Sequence, residues 1–251
     1  MSRAGARPPI GVIAGLLGAL AGGCSAVERT SADRFTVTGE LIALGGGDAG
    51  AQHACFTCHG HDGHGDGAGA PRLAGLDAGY LQRQLDDYAS GRRRHPEMGY
   101  IAARLKSPER QRVSAYYARL AFAPGPGPAR PAPRLYVAGD PARGLPACAA
   151  CHGLRGEGSG PANPALGAQP AAYLAGQLEA WRRSTRRNDP DNVMLHISRQ
   201  LTPAESGALA AYAGALPGGP EHPGSPAAFP AIRRADPRNG ASVLRPHEAA
   251  P

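Results

Sequence analysis

Two pentapeptides, Cys55-Phe56-Thr57-Cys58-His59 and Cys148-Ala149-Ala150-Cys151-His152, organise this chain of 251 residues. Each reads Cys-x-x-Cys-His. Two thiols about one helical turn apart can each form a thioether to the same porphyrin, and the histidine that follows places an imidazole under its iron. The pattern is the attachment signature of a c-type haem, so two covalently bound haem c groups are expected. Cys55, Cys58, Cys148 and Cys151 are the anchors, and His59 and His152 are axial ligands. Zinc also uses Cys-x-x-Cys with His, but it needs a further ligand pair at separate spacing. A disulfide framework gives no reason for a histidine directly after each pair.

Outward from the pentapeptides, the chain repeats itself. An offset of 93 carries Cys55 onto Cys148, Gly63, Gly65 and Gly67 onto Gly156, Gly158 and Gly160, Pro71 onto Pro164, Tyr80 onto Tyr173, and Gln84 onto Gln177. Three residues inserted in the second half raise the offset to 96, which carries Met98 onto Met194, Ile101 onto Ile197, Leu105 onto Leu201 and Leu120 onto Leu216. Each half is one structural unit. It is expected to hold a short opening helix, the attachment segment, a Gly-rich loop, a helix over 77–90 or 170–184, a methionine segment and a closing helix. Asp48 and Asp140 read as N-caps of the opening helices, the latter with Pro141 at the first helical position. Thr202-Pro203-Ala204-Glu205 is a capping-box pattern. Tyr173, Leu174, Gln177, Leu178 and Trp181 share one helical face, and Tyr80, Tyr173 and Trp181 read as cofactor-packing residues. No alternating strand pattern occurs, so the fold class is all-α.

An iron that shuttles electrons without binding substrate needs a second axial ligand. The chain has three methionines including Met1; Met98 lies 39 residues after His59 and Met194 lies 42 after His152. A methionine is ordinarily a core filler. The coincidence of both under the repeat points instead to Met98 and Met194 as ligands. A thioether ligand raises the potential and closes the coordination sphere to oxygen or peroxide. His95 and His196 lie close by but do not correspond under the repeat, and read as surface or supporting residues. Arg92, Arg93 and Arg94 precede one methionine, and Arg182, Arg183, Arg186 and Arg187 the other. These are a solvated face, partners of the cofactor carboxylates, or a docking patch for an acidic protein.

Composition agrees with cofactor-built cores. Aromatic residues are only 5% of the chain, against 36 glycines and 25 prolines, a thin apolar supply for two small units. The formal charge of +7 comes without a nucleic-acid motif, so no nucleic-acid partner is expected. Arg3 and Arg7 precede an apolar stretch, Ile10 to Ala21, too short to span a bilayer comfortably. It ends in Leu20-Ala21-Gly22-Gly23-Cys24, which resembles a bacterial lipobox except for Ala21, where a larger aliphatic residue is commoner. Residues 1–23 are then a signal peptide and Cys24 the lipidated first residue of the mature chain. A tether spans 24–36, a first domain 37–122, a Pro/Gly linker 123–134, a second domain 135–216 and a disordered tail 217–251.

On these motifs, methionines and duplicated order, residues 40–216 resemble a dihaem class I cytochrome c of the cytochrome c4 type. The resemblance implies two tandem all-α domains, each around one covalent haem. It also implies a role for Pro71 and Pro164, each twelve residues after an axial histidine: presenting a carbonyl to the other ring nitrogen. The plainer alternative is that both prolines only end Gly-rich loops. The implied function is that of an exported carrier, not an enzyme. It would face the periplasm, held to a membrane by lipid on Cys24, and serve redox protein partners such as a membrane oxidase, a reductase or a periplasmic dehydrogenase. Two other readings stand beside it. One is the electron-accepting cytochrome subunit of a periplasmic dehydrogenase. The other is a dihaem peroxidase-like enzyme, in which one iron must open to substrate.

Overall fold

A computed structural model describes residues 38–67 and 69–219. The signal peptide, Cys24, the whole tether and residues 220–251 of the tail lie outside the described residues. Among the described residues, regular structure is helical, with only isolated bridges besides.

The first domain holds α1 (Gly39–Gly45), α2 (Phe56–His59), α3 (Ala78–Ala89), α4 (Pro96–Arg104) and α5 (Ser107–Arg119). The second repeats the order with α6 (Arg134–Val137), α7 (Ala149–His152), α8 (Ala171–Arg182), α9 (Val193–Gln200) and α10 (Pro203–Ala215). Local chemistry sets the starts. Asp77 Oδ1 accepts from the Tyr80 amide at 2.8 Å to open α3. Thr202 and Glu205 form the reciprocal capping box of α10.

The helices pack in the same way in both halves. In the first, α1 lies on α5, and α3 lies against both α4 and α5. In the second, α8 takes the place of α3 between α9 and α10. The one-turn α6 reaches α10 through Tyr136, whose ring stands edge-on to Tyr212 at 5.0 Å. Ile42, Leu81, Leu105 and Val113 centre one apolar core, and Tyr136, Leu174, Leu209 and Leu216 the other.

One of the two expected caps is corrected. Thr38 Oγ1, not Asp48, caps α1 by accepting from the Leu41 amide at 3.2 Å. Asp48 stands in a 3-10 turn among left-handed glycines and pairs with Lys106 at 3.0 Å. Asp140 is the N-cap residue of the three-residue 3-10 turn Pro141–Arg143, with Pro141 first as expected, and its carboxylate binds the Arg143 guanidinium at 2.8 Å. The linker is tied down: Gly127 donates to Ala215 O at 2.9 Å and Gly125 to Pro217 O at 3.3 Å. Gly218 donates to Arg155 O at 2.9 Å, so the start of the tail belongs to the second domain. Among the described residues, no helix is long and apolar enough to cross a membrane.

Candidate functional site

The two pentapeptides adopt one local structure. Cys55 and Cys148 are the N-cap residues of the one-turn helices α2 and α7, and His59 and His152 are their last residues. All four cysteines are unpaired. Burial pushes the thiols of Cys55 and Cys148 up to about 11. A pocket that disfavours thiolate suits an uncharged thioether better than a metal-bound thiolate. Among the described residues, no group of three or more His, Cys, Asp or Glu side chains gathers as a metal site, which leaves no zinc set at either pentapeptide.

Each histidine is oriented by a proline. His59 Nδ1 lies 2.9 Å from Pro71 O, and His152 Nδ1 lies 2.8 Å from Pro164 O. A carbonyl can only accept, so each Nδ1 carries the proton and each Nε2 keeps a lone pair for iron. Burial lowers the pKa of both rings and keeps them in this neutral form, against the smaller opposing effect of the hydrogen bonds. Glycine makes the approach possible. A Cβ on Gly65 would stand 2.4 Å from Ala70 O and 2.8 Å from the Pro71 carbonyl carbon; one on Gly158 would stand 2.6 Å from the Pro164 carbonyl carbon. Both residues also have φ in the left-handed region. The donor set and its orientation fit a covalent haem at each site, with the cysteines as anchors and the imidazole as ligand.

The methionine helices differ in construction. Met98 lies in the first turn of α4, where His95 Nδ1 accepts from its amide at 3.3 Å and Pro96 takes the first helical position. His95 is therefore the cap of the methionine helix. The sequence His95-Pro96 carried that signal, although histidine is not among the common caps. In the second half the three extra residues form the turn Pro190–Asn192, with Asp191 and Asn192 at φ of 53° and 55°. Asp189 holds the entry to α9, accepting from Trp181 Nε1 at 2.9 Å and from the Leu195 amide at 3.2 Å. Met98 and Met194 are both half-buried.

The arginine groups divide. Arg92, Arg94, Arg182, Arg183 and Arg187 are exposed, but Arg93 and Arg186 are buried at 5% exposure each, where the domains meet. Arg93 donates to Gln84 at 3.0 Å and across the junction to Gln177 at 2.8 Å and Tyr173 at 3.0 Å. Arg186 donates to Gln177 at 2.7 Å and across to Gln84 at 3.1 Å. Trp181 lies 3.9 Å from the Arg186 guanidinium and Tyr88 lies 4.7 Å from that of Arg93. Tyr173 and Trp181, expected as cofactor-packing residues, also take part in this junction. The signal for it was the 93-residue offset, which pairs Arg93 with Arg186 and Tyr88 with Trp181 as well as Gln84 with Gln177.

Comparison with known proteins agrees with this duplication. The Cytochrome c family matches residues 47–119 and again 143–216. A thiosulfate dehydrogenase electron acceptor of Stutzerimonas stutzeri is 45% identical over 184 residues, covering 69% of this chain and 84% of that protein. A cytochrome c4 of Pseudomonas aeruginosa is 34% identical over 180 residues, covering 68% and 90%. Among solved structures, a thiosulfate dehydrogenase from Marichromatium purpuratum is similar with TM-score 0.64 and 39% identity over 72% of this chain; the match spans only 40% of that longer chain. Reduced cytochrome c4 from Pseudomonas stutzeri is similar with TM-score 0.62 and 29% identity, covering 71% of this chain and 96% of that one. Two attachment motifs in two such domains mean two covalently bound haem c groups. With two matches to the same family model and relatives named as cytochrome c4 and thiosulfate dehydrogenase electron acceptor, the chain belongs to the cytochrome c family, among its dihaem class I members.

Proposed function

We propose that this protein is an exported electron carrier that accepts electrons from a periplasmic dehydrogenase and is not itself an enzyme. Haem c, when bound, supplies a one-electron couple. The polypeptide does the rest. Cys55 and Cys58, and Cys148 and Cys151, anchor the two groups. His59 and His152, their Nδ1 protons held by Pro71 and Pro164, would be ligands to the iron through Nε2. Met98 and Met194 would supply the second ligands and exclude water and peroxide, which argues against a peroxidase-like role.

The observation that carries this reading is the junction. Two equivalent centres are joined by hydrogen bonds of two buried arginines that run in both directions between the domains. Such a joint suits a relay with fixed spacing. The identity of the donor rests on the relatives named as thiosulfate dehydrogenase electron acceptors, so the substrate class of the upstream enzyme is an oxidisable inorganic sulfur anion. Stopped-flow mixing of the oxidised holoprotein with a thiosulfate dehydrogenase and thiosulfate tests it. Reduction of both haems within turnover time is expected; no reduction rejects this donor. Robust peroxide turnover by the intact protein rejects the non-enzymatic role.

Cys24 is proposed to be acylated, fixing the carrier to a membrane facing the periplasm. The lipobox-like Leu20-Ala21-Gly22-Gly23-Cys24 supports this. Mass spectrometry of the mature N-terminus should find acylated Cys24; an unmodified terminus at another residue rejects it.

A further inference from the structure

The junction is built from equivalent positions that carry different chemistry on its two sides. The 93-residue offset pairs Arg72 with Ala165 and Leu76 with Gln169. Leu76 and Ala165 belong to one apolar cluster across the domains. On the opposite side the contact is polar. Arg72 donates its amide to Gln169 Oε1 at 3.0 Å, and Gln169 Nε2 donates to Arg72 O at 2.9 Å. One buried amide side chain from the second domain thus clasps both backbone polar groups of a residue in the first. The Arg72 guanidinium, fully buried, adds a bond to Gly167 O at 2.9 Å and lies 4.0 Å over the Phe122 ring.

Both ends of the clasp are mechanically defined. Arg72 directly follows Pro71, whose carbonyl accepts from His59. Gln169 directly follows Ala168, which has φ of 55°, where the first domain has Gly75 at 68°. A left-handed alanine is strained by its Cβ and persists only where its surroundings over-determine it. Here they do: Ala168 donates to Leu216 O and Gly167 to Gly156 O, both at 3.0 Å, within the second domain. The Gln169 side chain makes no hydrogen bond to its own domain among the described residues; its amide is spent on Arg72.

We infer that Gln169 is a positioning residue for the iron centre of the other domain, holding the Pro71–Arg72 backbone so that Pro71 O stays aligned with His59 Nδ1. The inference rests on His59 being the axial ligand. A fixed carbonyl acceptor makes the imidazole more basic and favours oxidised iron. Releasing the clasp therefore raises the potential of the first centre. The second centre lacks this control, because Ala165, the equivalent of Arg72, packs in the apolar cluster that holds Leu76. Domain docking thus tunes the two irons unequally.

The test is a redox titration of the holoprotein followed by the NMR resonances of each haem, in wild type, Gln169→Leu and Gln169→Met. Leucine reproduces the equivalent Leu76, and methionine supplies a flexible chain of similar length should the branched one pack poorly. The potential of the first centre is expected to rise while the second stays, with faster exchange of the His59 Nδ1 proton. A shift confined to the second centre, the domain that contains Gln169, overturns the inference. So do unchanged potentials with unchanged His59 exchange. Failure of the ligand assignment shows separately, in the wild type: His59 ring protons without a hyperfine shift remove it, and the inference with it.

Discussion

Arg93 and Arg186 pair across an antiparallel backbone bridge, and each guanidinium grips the glutamine of its own domain and that of the other. Among the described residues neither touches a carboxylate; Asp87, close by, is taken by Arg92 at 2.7 Å. Burial and then the neighbouring Arg93 charge work against the charged form of Arg186. Among the described residues, Gln84 Nε2 is buried there without a partner, so donors exceed acceptors.

Breaking the junction should uncouple the domains. Arg186→Met removes bonds to Gln177, Gln84 and Asn188 at once. Hydrogen bonds to a charged group are worth about 1.5–3 kcal/mol each. Scanning calorimetry of the holoprotein should resolve two transitions in the variant where the wild type gives one. One unshifted transition in both would show that the domains do not depend on this contact.

The methionine helices make a second prediction. Met98→Ala and Met194→Ala should each remove their own share of the methionine-sulfur absorption of the oxidised protein and lower the potential of their own centre. The double variant should remove that absorption entirely. Its persistence in both single variants at wild-type strength would exclude thioether ligation.

Gly65 and Gly158 are predicted to be intolerant. Alanine at Gly65 meets Ala70 O at 2.4 Å, with φ at 81°. The left-handed conformation alone costs about 1–2 kcal/mol, and relieving the clash moves the Pro71 carbonyl away from His59. Chemical denaturation should show lower stability for Gly65→Ala, and voltammetry a raised potential in the first domain only. Gly158→Ala should do the same in the second. A stable variant with both potentials unchanged would show that the loop does not control the histidine.

What could be read along the chain was whatever the repeat or a local rule encodes. The attachment helices follow from their motifs, and α3 opens at Asp77 because one side chain reaches its own backbone. The burial of Arg93 and Arg186 follows no local rule. An arginine run reads as solvated face until another domain covers it, and the cover comes from about ninety positions away in sequence, through Gln177 and Gln84. The Asp48 cap failed for a related reason. Lys106 competes for that carboxylate, while left-handed glycines shorten the turn around it.

Acid should weaken the second domain through Glu205. Arg143 grips its carboxylate at 2.8 and 3.2 Å, and the Thr202 amide donates to it at 2.8 Å. The Arg143 bonds, and then the Thr202 amide, lower its pKa from the usual 4.5 to about 2. A carboxylate with a depressed folded-state pKa stabilises the fold above its unfolded value and ceases to do so as pH falls through the folded one. The contribution of Glu205 is thus full above about 4.5 and fades towards about 2. Urea unfolding of wild type and Glu205→Gln at a series of pH values should show wild type the more stable near neutrality, with the gap closing across that window. A gap that stays constant down to the lower limit would mean that Glu205 acts through its shape and not through its charge.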